Sequence, residues 1–177
     1  MPLDVSPLGL AVAIDRLERG PVLVTALAER FPDEQMRWKP APEQWSLLEV
    51  LNHLADEEVS DFRDRIERTL RDPAEAWPSI DPQTWAKDRG YNERDPAESL
   101  QRCLAERRAS IGWLRGLKGA KWGNEYMHPK AGAISARMLL ANWIAHDLLH
   151  ARQMLRLHHA WLGAQAAPDK LDYAGKW

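Results

Sequence analysis

The sequence predicts an all-α protein built as a four-helix up-down bundle. Four long segments carry apolar residues at three- and four-residue spacing, and no run of four to eight alternating apolar and polar residues bounded by turn signals stands out. Helix-start signals also precede the second and third of these segments.

The first segment covers residues 7–30, with Leu10, Ile14 and Leu17 on one side, and Gly20-Pro21 either kinks or splits it. The second begins at Ser46, where Ser46 and Glu49 form an S-x-x-E capping box ahead of Leu47, Leu51, Ala55, Phe62 and Ile66. The third spans residues 96–117, with proline in its first turn and a stripe of Leu100, Leu104, Ile111 and Leu114. The fourth covers residues 135–158 without Gly or Pro. A connection rich in Pro, Asp and Trp (residues 72–95) joins the second to the third, and a shorter one with Gly123, Pro129 and Gly132 leads into the fourth. Both exceed the usual two to eight residues of a bundle link, so the first is expected to cover a surface or a site opening. The tail after Gly163 is polar and Ala-rich and ends in Trp177.

At 177 residues and 45% hydrophobic content, residues 1–177 are expected to form one domain. A net charge of -2 with both signs interspersed offers no basic stripe for phosphates, so nucleic acid is not an expected partner. The single cysteine, Cys103, has no internal disulfide partner, and it reads as an inert core thiol. The N-terminus has no signal-like pattern and no 18-residue apolar run occurs, so no membrane association and a cytoplasmic location are expected.

Chemistry concentrates at His146-Asp147-Leu148-Leu149-His150. Residues four apart share a helix face, so both imidazoles can approach one metal ion. A catalytic zinc-type site takes three protein ligands and leaves a position open, and His53 on the second helix is the best third donor. On a wheel of roughly 100° per residue His53 falls on the flank of its apolar stripe, so it is either a ligand or a solvated surface residue. His128, His158 and His159 read as surface residues near loops or helix ends.

Glu58 and Arg107 project into the apolar stripes of the second and third helices. Buried charges need partners, so the two are expected to share one site, either as a plain ion pair or as functional groups. The fourth helix is apolar nearly all round. One side carries Leu139, Trp143, His146, His150 and Gln153; the other carries Leu140, Ile144, Leu148, Ala151 and Leu155. Its second side is covered either by neighbouring helices or by another copy in a two-fold homodimer.

The stretch Trp45 to Glu58, Arg107, the His128-Pro129 loop with Gly132, and the run His146-Asp147 through His150 to Gln153 together resemble the DinB-like superfamily. The resemblance covers roughly residues 20–157 in the correct order. It implies a four-helix bundle in which His53, His146 and His150 bind one divalent metal ion, Zn or Ni. It also implies a metal-dependent enzyme, thiol transferase-like or hydrolase-like, whose ion activates water or the thiol of a low-molecular-weight substrate. Three candidate catalytic residues accompany the ligands: Glu58 or Asp147 would steer an imidazole through its other nitrogen, and Arg107 would meet an anionic group of a small-molecule substrate. The alternative is a non-enzymatic dimeric bundle in which the ion is structural. Zinc-protease chemistry fits poorly because Asp147 stands where H-E-x-x-H requires glutamate, and di-iron chemistry fails because it requires two helical E-x-x-H pairs and none of the four predicted helices carries one.

Overall fold

The computed structural model describes residues 8–175. Its first helix, α1 (Leu10–Ala28), is followed by the short α2 (Asp33–Arg37) and by α3 (Leu47–Glu57). A π-helical segment, Glu58–Arg63, continues α3 directly into α4 (Asp64–Arg71), so these three pieces make one long rod. Next come α5 (Pro82–Asp88), a 3₁₀ turn at Tyr91–Glu93, α6 (Pro96–Gly116), the strands β1 (Glu125–His128) and β2 (Gly132–Ser135), and α7 (Ala136–Ala166). A 3₁₀ turn at Asp172–Ala174 closes the described chain. The expected start of the first helix at Pro7, and the tail's end at Trp177, lie outside the described residues.

The helix starts follow from local chemistry. Ser46 Oγ accepts from Glu49 N at 3.1 Å while Ser46 N donates to Glu49 Oε2 at 2.8 Å, completing the capping box. Asp95 caps α6 through Glu98 N with Pro96 in the first turn, and Ser135 caps α7 through Met138 N.

Four rods form the bundle: α1, the α3–α4 rod, α6 and α7. One core joins Ala28, Leu51, Leu54, Leu100, Met154 and Leu157 at one end, and a second joins Leu17, Phe62, Ile66, Leu114, Leu140 and Trp143 at the other. The chain therefore runs up α1, down the α3–α4 rod, down α6 and up α7. Because the two middle rods are parallel, the connection between them must return along the whole bundle, which accounts for its length. It carries α5 and the 3₁₀ turn, both packed on α3.

Three details depart from the sequence reading. A β-hairpin precedes α7, with Tyr126 opposite Ile134 and His128 opposite Gly132. Its four-residue strands are too short for alternation to register, and Gly132 at φ 75° makes the turn. His128 Nδ1 accepts from Lys130 N and Ala131 N within that turn. The fourth helix extends to Ala166. And α1 is continuous through Gly20-Pro21.

The last of these has a physical cause in Arg107, which is buried on α6. Its Nε donates to Glu58 Oε1 at 2.7 Å, Nη1 and Nη2 donate bidentately to Asp147 at 2.6 and 2.7 Å, and Nη1 also reaches Leu17 O at 3.1 Å. Pro21 has no N–H, so the Leu17 carbonyl one turn earlier has no intrahelical donor, and Arg107 supplies one. Gly20 makes room for it, since a Cβ there would stand 2.7 Å from Arg107 Nη1 and 3.1 Å from Asp147 Oδ2. All four rods thus meet at one guanidinium. Burial works against its charge, but Asp147 and Glu58 more than offset this and hold its pKa above the usual arginine value.

Gly20→Ala gives a sign test. An unhindered Gly→Ala in a helix stabilises by up to about 1 kcal/mol. Here the guanidinium is pinned and unable to yield, so urea unfolding should show a loss of about 1–3 kcal/mol.

Candidate metal centre

Helix α3 is covered by α2, α5, α6 and α7, and every one of its residues is buried. His53 lies inside for that reason, so its flanking place on the wheel does not expose it. The α7 rod presents His146 and His150 one turn apart to the same point. His146 Nε2 stands 3.3 Å from His53 Nε2 and 3.1 Å from His150 Nε2. Taken together, the ligand atoms of the three residues lie within 4.8 Å of one another, and among the described residues no other His, Cys, Asp or Glu joins the group.

The donor chemistry fits a divalent ion. Ligands at 2.0–2.1 Å on a tetrahedral centre would be separated by roughly 3.3 Å, close to the distances seen. His150 Nδ1 lies 2.7 Å from Gln153 Oε1; an amide oxygen only accepts, so Nδ1 carries the proton and Nε2 keeps its lone pair. Burial, and then the charge of His150, push His53 down to about 3. Burial, followed by the two other imidazoles, pushes His146 down to about 2, and burial also lowers His150. All three are neutral at physiological pH, the form that ligates metal. With each ring's proton on Nδ1, as ligation through Nε2 requires, three lone pairs would face one another, and a cation relieves their repulsion.

The histidines form the floor of a cleft of about 790 Å³, walled by Trp45, Glu57, Gln83, Leu149, Gln153 and Arg156 among others. Trp45 packs against the His53 ring at 4.7 Å and lies parallel to His150 at 6.3 Å. On the opposite side Phe62 meets His146 edge-on at 5.2 Å and stacks on Trp143 at 5.3 Å. The connection over residues 72–95 contributes Pro82 and Gln83 to the cleft, as its length suggested.

Asp56 anchors that connection. Its buried carboxylate accepts from Tyr91 Oη, Arg89 Nη1 and Arg102 Nη2, tying α3 to the 3₁₀ turn and to α6. Burial opposes its charge, but these three donors prevail and hold its pKa below the usual carboxylate range.

The remaining sequence candidates fall elsewhere. Glu58 and Arg107 do meet, and Asp147 joins them, but none of the three lines the cleft. Neither carboxylate bonds an imidazole: Glu58 Oε1 accepts from Arg107 and Trp143 Nε1 while its buried Oε2 has no partner, and both Asp147 oxygens accept from Arg107. The Arg107 donors are directed to Glu58, Asp147 and the Leu17 carbonyl inside the bundle. Gln153 holds His150 instead, and Arg156 is the guanidinium on the cleft. His158 is half-buried, with Nε2 on Leu27 O at 2.8 Å and Nδ1 accepting from Gln35 at 2.9 Å. Cys103 is buried, and burial pushes its thiol up to about 12, in keeping with an inert core residue.

The DinB superfamily sequence model matches residues 16–154, most of the chain. The chain belongs to the DinB superfamily. This bears out the resemblance carried by the ordered motifs. Among solved structures, YfiT from Bacillus subtilis, described as a probable metal-dependent hydrolase with an unusual four-helix bundle topology, aligns with a TM-score of 0.76. The alignment covers 90% of this chain and 91% of YfiT at 21% identity, which supports the all-α four-helix bundle of a DinB superfamily member. No curated protein matches. Among the described residues, no helix is long and apolar enough to cross a membrane.

The Asp56 anchor can be tested by acid. A carboxyl whose folded pKa lies below its unfolded value of 3.8 adds stability above that value and loses it as pH falls further. Asp56→Ala should cost about 1–3 kcal/mol at pH 7, since both arginines are over a third exposed and partly screened. The deficit relative to wild type in urea unfolding should narrow as pH drops below about 4.

Proposed function

We propose that the protein is a divalent-metal-dependent enzyme of hydrolase type, with His53, His146 and His150 holding one ion, Zn or Ni, at the cleft floor. One observation carries the reading: three Nε2 atoms converge where a cleft opens, and no fourth His, Cys, Asp or Glu closes the set among the described residues. A structural zinc site has four protein ligands, which disfavours the non-enzymatic alternative. The description of YfiT as a probable metal-dependent hydrolase points the same way. When bound, such an ion lowers the pKa of water or of a thiol that reaches its open position.

The chain's own residues account for the rest. Burial keeps the imidazoles neutral, Gln153 fixes the tautomer of His150, and Trp45 shields one side from solvent. Arg156 makes no ion pair among the described residues and stands at the cleft wall, where it suits an anionic group of a small-molecule substrate. Glu58, Arg107 and Asp147 hold the rods that carry the ligands. The cleft volume also leaves room for a low-molecular-weight thiol beside a second small molecule, which favours thiol transfer as the second reading. The reduced, buried Cys103 suits a cytoplasmic setting.

A two-fold homodimer is part of the proposal. On the second side of α7, Leu140, Ile144 and Ala151 are buried by the chain itself, whereas Leu148 and Leu155 are 63% and 41% exposed. With Met138 and Leu162 they make an outward apolar row seven to ten residues apart, which supports pairing with a second copy. Sedimentation should give twice the chain mass, and Leu148→Glu with Leu155→Glu should return it to the monomer value.

Protein purified without chelator or affinity-tag metal should contain one ion per chain. His146→Ala and His150→Ala should each lose both the ion and activity in a screen of amide and ester hydrolysis and thiol conjugation. A folded His146→Ala that retains full metal content would refute the site.

A further inference from the structure

Two buried polar atoms beside the proposed ion site have no hydrogen-bond partner: His53 Nδ1 and Glu57 Oε1. They face each other at 4.0 Å, each on a side chain only 5% exposed. Glu57 follows His53 by one turn of α3, so the helix holds the two side chains on one face. We propose that Glu57 is the positioning residue for His53, accepting a hydrogen bond from its Nδ1–H when an ion occupies the three-histidine site. The inference rests on that reading of the site.

The logic is one of complementary vacancies. An imidazole that offers Nε2 to an ion carries its proton on Nδ1, and a buried N–H left unpaired costs about 1–3 kcal/mol. His150 meets this need through Gln153. His53 has one acceptor facing its Nδ1, and that acceptor is equally unpaired. A shift of about 1 Å brings them to hydrogen-bond distance. The Glu57 carboxyl is itself held beside Asp61, which pairs with Arg65 at 2.7 Å. Glu57 is not a member of the set that can ligate the ion directly, so its contribution passes through His53.

Zinc affinity measured by chelator competition separates the possibilities. Glu57→Ala should weaken binding about 10–100-fold, as losses of outer-shell partners do, whereas Glu57→Gln, whose amide oxygen still accepts, should stay within about threefold of wild type. Proton NMR of the zinc-loaded wild type should show a His53 Nδ1–H protected from solvent exchange, a readout that remains available if Glu57→Ala does not fold. Unchanged affinity in a folded Glu57→Ala overturns the proposal. So does a Glu57→Gln as weak as Glu57→Ala, because charge or direct ligation would then be at work, and so does a freely exchanging Nδ1–H. A wild type that binds no zinc overturns the three-histidine reading itself, an outcome distinct from the others.

Discussion

The architecture depends on one buried guanidinium. Arg107 carries five N–H donors into a core that cannot solvate it, and the chain answers with a carboxylate from the π segment, a carboxylate from α7 and a backbone carbonyl from α1. A buried charge stripped of a partner typically costs about 3–5 kcal/mol, so each rod is held in register by the penalty for leaving. An all-hydrophobic core of the same size could be equally stable, but it would tolerate small rotations and slides that this cluster forbids.

That constraint reaches the metal centre through adjacency. Asp147 follows His146 directly, and Trp143, which donates to Glu58, stacks on the same Phe62 that touches the His146 ring. Glu57 and Glu58 are neighbours at the junction of α3 and the π segment and so point in different directions, Glu58 into the ion cluster and Glu57 to the cleft. Ion cluster and histidine floor thus lie on adjoining faces of the same two rods.

Much of this was legible in the residues. Three- and four-residue spacing and capping chemistry located the four long helices, and the charges of Glu58 and Arg107 on apolar stripes announced a shared buried site because no core accepts either alone. The i,i+4 histidines were readable as one face of one helix. What periodicity could not convey was tertiary. His53 lies inside because Trp45 and the two α7 histidines, distant in the chain or outside the helix, pack against its ring. Spacing puts Gln153 on the histidine side of its helix, but its bond to His150, like the approach of Glu57 to His53, depends on side-chain positions that spacing does not give. Gly20-Pro21 read as an interruption because its purpose, an opened carbonyl and a missing Cβ, is visible only with Arg107 beside it. The hairpin's strands were too short to show a period.

The parallel pairing of the two middle rods has an evolutionary consequence. Because the chain must travel the length of the bundle between them, a long stretch with few packing obligations passes beside the histidine floor and contributes Pro82 and Gln83 to its rim. Changes in that stretch can reshape which molecules enter without disturbing the donors or the ion cluster, so a single scaffold is free to diversify its chemistry at the rim while its interior stays the same.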